Sequence, residues 1–328
     1  MRGAVTVGTA IAFIQYSQRF FRPIQDLSDK YNLLQAAMAS SERIFKLLDT
    51  PVKIVDPAEP QPLDHPRGEV EFHDVGFAYK DNHKVLDKIN FVIEPGETVA
   101  VVGHTGAGKT TLTNLLLRFY DVQEGRITFD GVDIRDLRLW DLRKNFGIVL
   151  QDPFLFSGTI ASNIRLGTKH ITDAQVRAAA QQVNLLEFIE SLPGGFDEPV
   201  KERGATLSVG QKQLLSFARA LAHNPRILVL DEATSSVDPE TEHLLREGMQ
   251  RLVENRTSLV IAHRLSTIQN ASKIVVMHKG RVREVGTHQE LLEKRGIYFK
   301  LYQLQYRDQE IPAARELTRA EPLARDTA

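Results

Sequence analysis

The chain contains no cysteine, which excludes a disulfide scaffold and any chemistry that needs a thiolate. It also has almost no excess of either charge, because 41 Lys and Arg residues face 42 Asp and Glu residues, for a net charge of -1. Such a balance gives no reason to expect nucleic acid as the main partner. The hydrophobic fraction of 42% and the charged fraction of 25% are typical of globular proteins, and 328 residues suffice for one large domain or two modest ones.

Long apolar runs are also scarce. One uncharged and fairly apolar segment, Gly3–Gln18, would form a helix of about 24 Å, shorter than the ~30 Å hydrocarbon core of a membrane. It lacks a small-residue cleavage site followed by a mature secreted sequence, so a signal peptide is not favoured. The sequence leaves open whether this helix packs on protein or contacts a membrane. In the second case, Arg19 and Arg22 place its C-terminal end in the cytoplasm.

Four segments differ in their residue patterns. Residues 1–50 are predicted to be helical, because apolar residues recur at roughly helical spacing. Residues 51–68 contain five prolines and are predicted to form an extended linker. Residues 69–306 alternate β-branched runs with helical patterns, which predicts an α/β domain. The polar, aperiodic tail, residues 307–328, is predicted to be disordered.

Continuous apolar runs predict four strands of a parallel sheet, buried on both faces. The runs are Val99–Val102, Ile148–Leu150, Ile227–Leu230 and Leu259–Ala262. A glycine or polar residue follows each run directly: Gly103, Gln151, Asp231 and His263. Because ligands of open α/β sheets bind outside the carboxyl ends of the strands, we expect these four residues to converge on one site.

A phosphate-binding loop follows the first of these strands. Residues 103–110, GHTGAGKT, match G-x-x-x-x-G-K-[ST] without a mismatch and precede a helical pattern, which is the context that the motif requires. The glycines allow backbone N–H groups to surround a polyphosphate, and the helix that follows offers unpaired N–H groups and a positive dipole end. Lys109 can reach the β- and γ-phosphates, and Thr110 can bind Mg²⁺.

Two adjacent carboxylates, Asp231 and Glu232, end the third apolar strand. The first suits Mg²⁺, and the second could polarise an attacking water. Pairs of acidic residues are also common at strand ends simply because those ends are exposed to solvent. The pair therefore indicates Mg²⁺ binding and water activation only in combination with the phosphate loop.

These motifs together resemble the ABC ATPase family, from Glu69 to about Gln305. Residues 207–211, LSVGQ, are similar to the family's signature motif, usually LSGGQ, with Val209 in place of the first glycine, as exporters often have. The remaining matches are Tyr79 with the aromatic residue that stacks on adenine, Gln151 with the Q-loop glutamine, residues 235–238 (SSVD) with the D-loop, and His263 with the switch histidine. The resemblance implies an α/β P-loop NTPase fold with a mainly parallel central sheet, an antiparallel β subdomain and a helical signature subdomain.

The resemblance also implies the ligands, ATP and Mg²⁺, and the residues that hold them. The expected ATP contacts are Tyr79, Gly103, His104, Thr105, Gly106, Ala107, Gly108, Lys109, Thr110, Thr111 and Asp231. The expected metal ligands are Thr110, Gln151 and Asp231. Glu232 would be the general base, with His263 and Gln151 as the other catalytic residues. Two copies are expected to pair head to tail, as a homodimer or a heterodimer, so that each ATP also contacts the partner's Ser208, Val209, Gly210, Gln211 and Asp238.

The first fifty residues carry a second resemblance. Residues 6–9 (TVGT), 20–24 (FFRPI) and 41–45 (SERIF) are similar to the end of the last transmembrane helix of a type IV exporter half-transporter and to its cytoplasmic extension. Bacterial lipid and multidrug exporters are the nearest in style. The chain is therefore expected to power export as an ATPase at the cytoplasmic face of the cell (inner) membrane, together with an exporter's transmembrane domain. The sequence does not identify the transported substrate.

Two alternatives remain. A soluble ABC ATPase of DNA repair would carry a long coiled-coil insertion between Thr111 and Ser208, and one of translation would carry two cassettes; neither pattern is present. A non-hydrolysing nucleotide sensor is disfavoured by the intact Lys109, Asp231, Glu232 and His263.

Overall fold

The computed structural model describes residues 6–80, 83–231, 239–254, 256–262 and 265–304. The chain divides into two compact units, Met1–Lys53 and Ile54–Ala328. The boundary falls inside the Pro-rich segment 51–68, which contains no helix and no strand. The density of proline explains this, since each ring fixes φ and removes a backbone donor.

The smaller unit is a single helix, α1 (Val7–Leu48). Thr6 caps it by accepting a hydrogen bond from the backbone N–H of Thr9 at 3.2 Å. The helix contains Pro23 and has no buried residue. The sequence predicted a helix over residues 1–50, and the structure has one from residue 7 to residue 48. Among the described helices, none has both the length and the apolar character needed to cross a membrane.

The described part of the larger unit has twelve strands in three sheets. The strands are β1 (Val70–Ala78), β2 (Lys84–Ile93), β3 (Thr98–Val102), β4 (Glu124–Phe129), β5 (Val132–Asp133), β6 (Phe146–Val149), β7 (Gly158–Thr159), β8 (Pro199–Val200), β9 (Ile227–Asp231), β10 (Thr257–Ile261), β11 (Lys273–His278) and β12 (Arg281–Gly286). The helices are α2 (Lys109–Leu116), α3 (Leu139–Arg143), α4 (Ile160–Arg165), α5 (Asp173–Gln182), α6 (Leu186–Ser191), α7 (Val209–Ala222), α8 (Pro239–Val253), α9 (Leu265–Gln269) and α10 (His288–Glu293).

The central sheet has the strand order β12-β11-β3-β10-β9-β6. Neighbouring strands from β11 to β6 are parallel, and β12 pairs antiparallel with β11. A second, antiparallel sheet has the order β2-β1-β4-β5, and β7 pairs with β8. The mainly parallel central sheet, the antiparallel β subdomain and the long preceding helix confirm the predicted fold class.

Alternate residues of the central strands face two different cores. Ala100 and Val102 of β3 belong to a core that α4, α5, α7 and α8 also line. Val99 and Val101 belong to a second core, shared with α2 and the antiparallel sheet. The sheet therefore lies between a helical layer and a β layer, which explains why its strands are continuous apolar runs.

One part of the strand prediction is wrong. Ile148 is 37% exposed and Leu150 is 53% exposed, although both were expected to be buried on a two-sided strand. The reason is topological, because β6 ends the order of strands in the described sheet and also ends at Val149, one residue before Leu150. An edge strand leaves part of its surface uncovered.

The segment before β1 is fixed to the larger unit by buried and half-buried polar groups. The carboxylate of Asp130 accepts hydrogen bonds from the backbone N–H groups of Arg67, Gly68 and Glu69, at 2.8, 3.1 and 2.9 Å. The buried guanidinium of Arg118 donates to the carbonyl of Val55 at 3.1 Å and to Asp121 at 2.8 Å. The Pro-rich segment is therefore attached to the larger unit at Val55 and at Arg67–Gly68.

We expect Asp130→Asn to lower the free energy of unfolding by about 1–2 kcal/mol, because the amide keeps only one acceptor oxygen for three backbone donors. Asparagine tolerates the left-handed conformation of this residue (φ 49°), so the change isolates the loss of the carboxylate. The measurement is urea unfolding followed by the fluorescence of Trp140, the only tryptophan, which lies in α3. Asp64→Asn, a change at an exposed carboxylate for which the described residues provide no hydrogen-bond partner, is the control. Equal stability of the two variants would contradict the role of Asp130.

Candidate nucleotide-binding site

The site begins at the loop that joins β3 to α2. A Cβ atom on Gly103 would collide with the carbonyl oxygen of Met277, so the loop leaves the sheet at a position that only glycine fits. Gly108 lies in the left-handed region (φ 102°) directly before the first residue of α2. These glycines let the chain turn from strand to helix in six residues, and such a turn can present backbone N–H groups to an anion.

Lys109 is the buried cation of this loop. Its side chain is 7% exposed, and its ammonium donates to the carbonyl oxygens of Gly103 at 2.6 Å and His104 at 3.1 Å. Burial lowers the pKa of the Lys109 ammonium, and the negative charge of Asp231 opposes that shift. The loop thus curls around its own lysine, which places a positive charge at the end of the central sheet.

A cavity of about 400 Å³ opens at this point. Six lining residues come from the loop and α2: Thr105, Gly106, Gly108, Lys109, Thr110 and Thr111. Gln151 and Asp231 reach the cavity from the ends of β6 and β9. The strand ends represented by Gln151 and Asp231 therefore meet at the phosphate loop, as their positions in the sheet require.

The oxygen donors in this cavity suit Mg²⁺. Thr110, Gln151 and Asp231 line the same space, and their side chains carry a hydroxyl, an amide oxygen and a carboxylate. Magnesium prefers oxygen ligands and keeps several waters, so one carboxylate and few protein ligands suffice. The donor set therefore fits the ion.

Tyr79 lies beside the cavity rather than in its wall. Its ring is 47% exposed, and its hydroxyl donates to the side chain of Thr111 at 3.3 Å. Since Thr111 lines the cavity, the exposed ring lies next to the space available to a ligand. An aromatic face in this position can stack on a nucleotide base.

The signature residues lie at the start of α7, and none of them lines this cavity. Ser208 caps the helix: its hydroxyl accepts from the N–H of Gln211 at 3.2 Å, while the Gln211 side chain accepts from the N–H of Ser208 at 2.9 Å. Val209 is 49% exposed, and Gly210 is buried. The helix end is therefore capped and partly exposed, and its residues do not line the phosphate loop's cavity.

Three predicted site residues, Glu232, Asp238 and His263, lie outside the described residues, as does the whole D-loop segment, residues 235–238. Gly103, His104 and Ala107 are in the loop without lining the cavity. Their roles stay predictions from sequence.

Sequence reasoning did not identify two apolar residues of the cavity wall, Val85 of β2 and Ile261 of β10. Their residue type carries no signal, because valine and isoleucine are ordinary strand residues. It also overlooked Asn114 and Tyr120, both of which contact Tyr79. Asn114 could have been noticed from its spacing, since residues three apart on a helix share a face and Asn114 follows Thr111 by three.

Comparison with known proteins places these features in one family. Residues 86–235 match the ABC transporter family model. The chain is 47% identical to the fatty acid ABC transporter ATP-binding/permease protein of Mycobacterium tuberculosis over 299 residues, covering 91% of this chain and 47% of that protein. It is 45% identical to the ATP-dependent lipid A-core flippase of Desulfotalea psychrophila over 305 residues, covering 93% of this chain and 53% of the flippase.

A solved structure gives the same result. The chain superimposes on a bacterial Atm1-family ABC exporter with ATP bound, with a TM-score of 0.74 and 38% sequence identity, over 98% of this chain and 54% of that one. The chain spans about half the length of the curated relatives it matches. The phosphate loop, the sheet topology and these similarities agree: the chain carries an ATP-binding domain of the ABC transporter family and is related over most of its length to ABC exporters.

Proposed function

We propose that this chain binds and hydrolyses ATP as the nucleotide-binding domain of an ABC exporter and thereby drives export of a lipid or drug-like substrate. The observation that carries the proposal is the cavity in which the phosphate loop, Lys109, Gln151 and Asp231 converge. The related proteins named as fatty acid transporter and lipid A-core flippase support the substrate class.

Within the cavity, each group has a distinct part in binding. The ammonium of Lys109, now held by the carbonyls of Gly103 and His104, would turn to the β- and γ-phosphates. The N-terminal end of α2 adds backbone donors and the positive end of its dipole. Thr110, Gln151 and Asp231 would hold Mg²⁺, which neutralises charge on the phosphates when bound.

Hydrolysis needs a base and a closed site. Glu232 follows Asp231 at the end of β9 and would accept the proton of the attacking water, with His263 near the γ-phosphate. Excluding water requires a cover over the cavity, and the ordered start of α7 on a second copy or a homologous chain would provide it through Ser208–Gln211, with Asp238 nearby. Head-to-tail pairing fits the position of this helix end outside the cavity of its own chain.

The share of the chain that the alignments cover favours an exporter over a soluble ABC ATPase. The alignments cover 91% and 93% of the chain, so they reach beyond residues 86–235, and one relative is a combined ATP-binding/permease protein. The exposed apolar side chains of α1, among them Phe13, Phe20 and Leu27, suit packing against other helices of a transmembrane domain. On this reading the domain works at the cytoplasmic face of the cell (inner) membrane.

Lys109→Ala is expected to weaken ATP binding on the order of 100-fold, because it removes charge-assisted hydrogen bonds to two phosphates. Titration calorimetry with ATP and Mg²⁺ measures the affinity. Lys300→Ala removes an exposed lysine far along the chain and should bind ATP as the unmodified protein does. ATP affinity that survives Lys109→Ala would remove the phosphate-loop assignment.

Glu232→Gln is expected to keep ATP affinity and to lower turnover at least about 100-fold, the low end of a general-base contribution. The amide keeps the shape of the side chain and loses the proton acceptor. With less negative charge near the γ-phosphates, an ATP-bound dimer should accumulate and elute early in size-exclusion chromatography. Glu293→Gln, at an exposed position on α10, is the control. Unreduced turnover in Glu232→Gln would place the base elsewhere.

Removal of residues 1–50 is expected to leave ATP affinity unchanged and to raise solubility. All the residues that line the cavity come from the larger unit, and the removed helix exposes its large apolar side chains. Calorimetry and light scattering on the full and shortened chains provide the comparison. A shortened chain that no longer binds ATP would show that α1 is part of the binding domain.

A further inference from the structure

The aromatic ring of Tyr79 is held on two sides, and this extends the proposed function. Three aromatic rings form a cluster beside the cavity, which we call the aromatic triad: Phe77, Tyr79 and Tyr120. The ring centres of Tyr79 and Tyr120 are 5.1 Å apart, and their planes cross at 87°. Phe77 contacts Tyr79 in the same edge-to-face manner at 4.9 Å.

Such edge-to-face contacts fix the plane of a ring as well as its position, because the positive edge of one ring meets the negative face of another. Phe77 is buried in the core of the larger unit, so it gives the triad a rigid base. Tyr120 lies in the turn after α2 and is itself 44% exposed. Like Tyr79, it therefore lies outside the buried core, and burial alone does not explain the contact between the two rings.

The other end of Tyr79 is tied to the helix of the phosphate loop. Its hydroxyl donates to Thr111 at 3.3 Å and accepts from the side-chain amide of Asn114 at 3.3 Å. Thr111 and Asn114 lie three residues apart and share one face of α2. The ring is thus joined to the same helix whose N-terminal end faces the phosphate site.

Stacking of a base on Tyr79 contributes more to the binding free energy if the ring is already oriented when the triphosphate binds. A free tyrosine loses side-chain entropy on forming the stack, whereas a ring held by the triad and by α2 has lost it on folding. Because α2 also positions Lys109, the distance between the base and the phosphates is set by one helix. The arrangement suits a nucleoside triphosphate rather than a bare polyphosphate.

From this geometry we infer that Tyr120 and Asn114 are positioning residues for the nucleotide base: they hold the ring of Tyr79 in a stacking orientation fixed relative to the phosphate loop. The inference rests on the proposed function, in which Tyr79 is the adenine platform. Tyr120 and Asn114 should therefore affect binding of the base and leave binding of the phosphates unchanged.

The test compares ATP with tripolyphosphate, a probe that has the phosphates and no base, each with Mg²⁺ in titration calorimetry. Tyr120→Leu is expected to weaken ATP about 3- to 10-fold, the size of a lost aromatic contact, and to leave the affinity for tripolyphosphate unchanged. Tyr120→Phe keeps the ring and should restore the affinity for ATP. Asn114→Ala should weaken ATP about 2- to 5-fold, as expected for one neutral hydrogen bond.

Phe119→Leu is the matched control. Phe119 precedes Tyr120, is similarly exposed at 49%, and lies under the guanidinium of Arg143 at 5.2 Å instead of contacting Tyr79. It should bind both probes as the unmodified protein does.

The outcomes separate the two levels of the proposal. Unmodified protein that binds neither probe contradicts the proposed function itself. ATP binding that is normal in Tyr120→Leu overturns the positioning role while the proposed function stands. An equal loss of affinity for both probes in Tyr120→Leu also overturns the positioning role, because the change then acts on the phosphate loop or on folding. A Tyr120→Phe variant that binds ATP as weakly as Tyr120→Leu overturns it too, because the aromatic ring would then not be the group that positions Tyr79.

Discussion

The structure depends on the burial of one positive charge at the end of a parallel sheet. The ammonium of Lys109 is nearly inaccessible and is held by two carbonyl oxygens of its own loop. A buried cation without partners is costly, so the loop must bring those carbonyls inward, and that requires glycine where the chain leaves β3 and where α2 begins. Glycine-rich loops of this kind can present several backbone N–H groups to an anion. Once this loop is formed, the positions of α2 and of the neighbouring strand ends follow.

The two-faced central sheet explains why the site is rigid on one side and open on the other. β3, β9 and β10 are covered by helices on one face and by α2 with the antiparallel sheet on the other, so Asp231 is carried by a strand that has little freedom. Gln151 follows β6, the strand at the end of the described order, where Ile148 and Leu150 remain exposed. The cavity is therefore lined by one residue from a covered interior strand and by another from a less covered edge.

Sequence reasoning predicted the parts of the fold that depend on local pattern. The phosphate loop, the apolar strands, the proline-rich segment and the long first helix each have a residue pattern with a direct physical cause. The four strands begin and end within two residues of the predicted runs, and the first helix begins at Val7 instead of residue 1. Burial at the edge of the sheet was predicted wrongly, because an apolar run does not reveal which strand has a neighbour. The contact of Tyr120 with Tyr79 and the apolar wall of the cavity depend on tertiary packing, which no spacing in the sequence encodes. Only the helix face that Asn114 shares with Thr111 could have been inferred from spacing. The roles of Glu232, Asp238 and His263 stay predictions.

The reciprocal cap at the start of α7 has a consequence for genetic experiments on the signature motif. Ser208 and Gln211 each satisfy a backbone donor of the other, so replacing either one loosens the first turn of a 14-residue helix before any nucleotide is involved. Loss of such a cap costs about 1 kcal/mol, a sizeable share of the margin by which a domain stays folded. A phenotype from Ser208 or Gln211 substitutions thus mixes lowered abundance with altered turnover. The exposed side chain of Val209, which takes no part in the cap, offers a position where the two can be told apart.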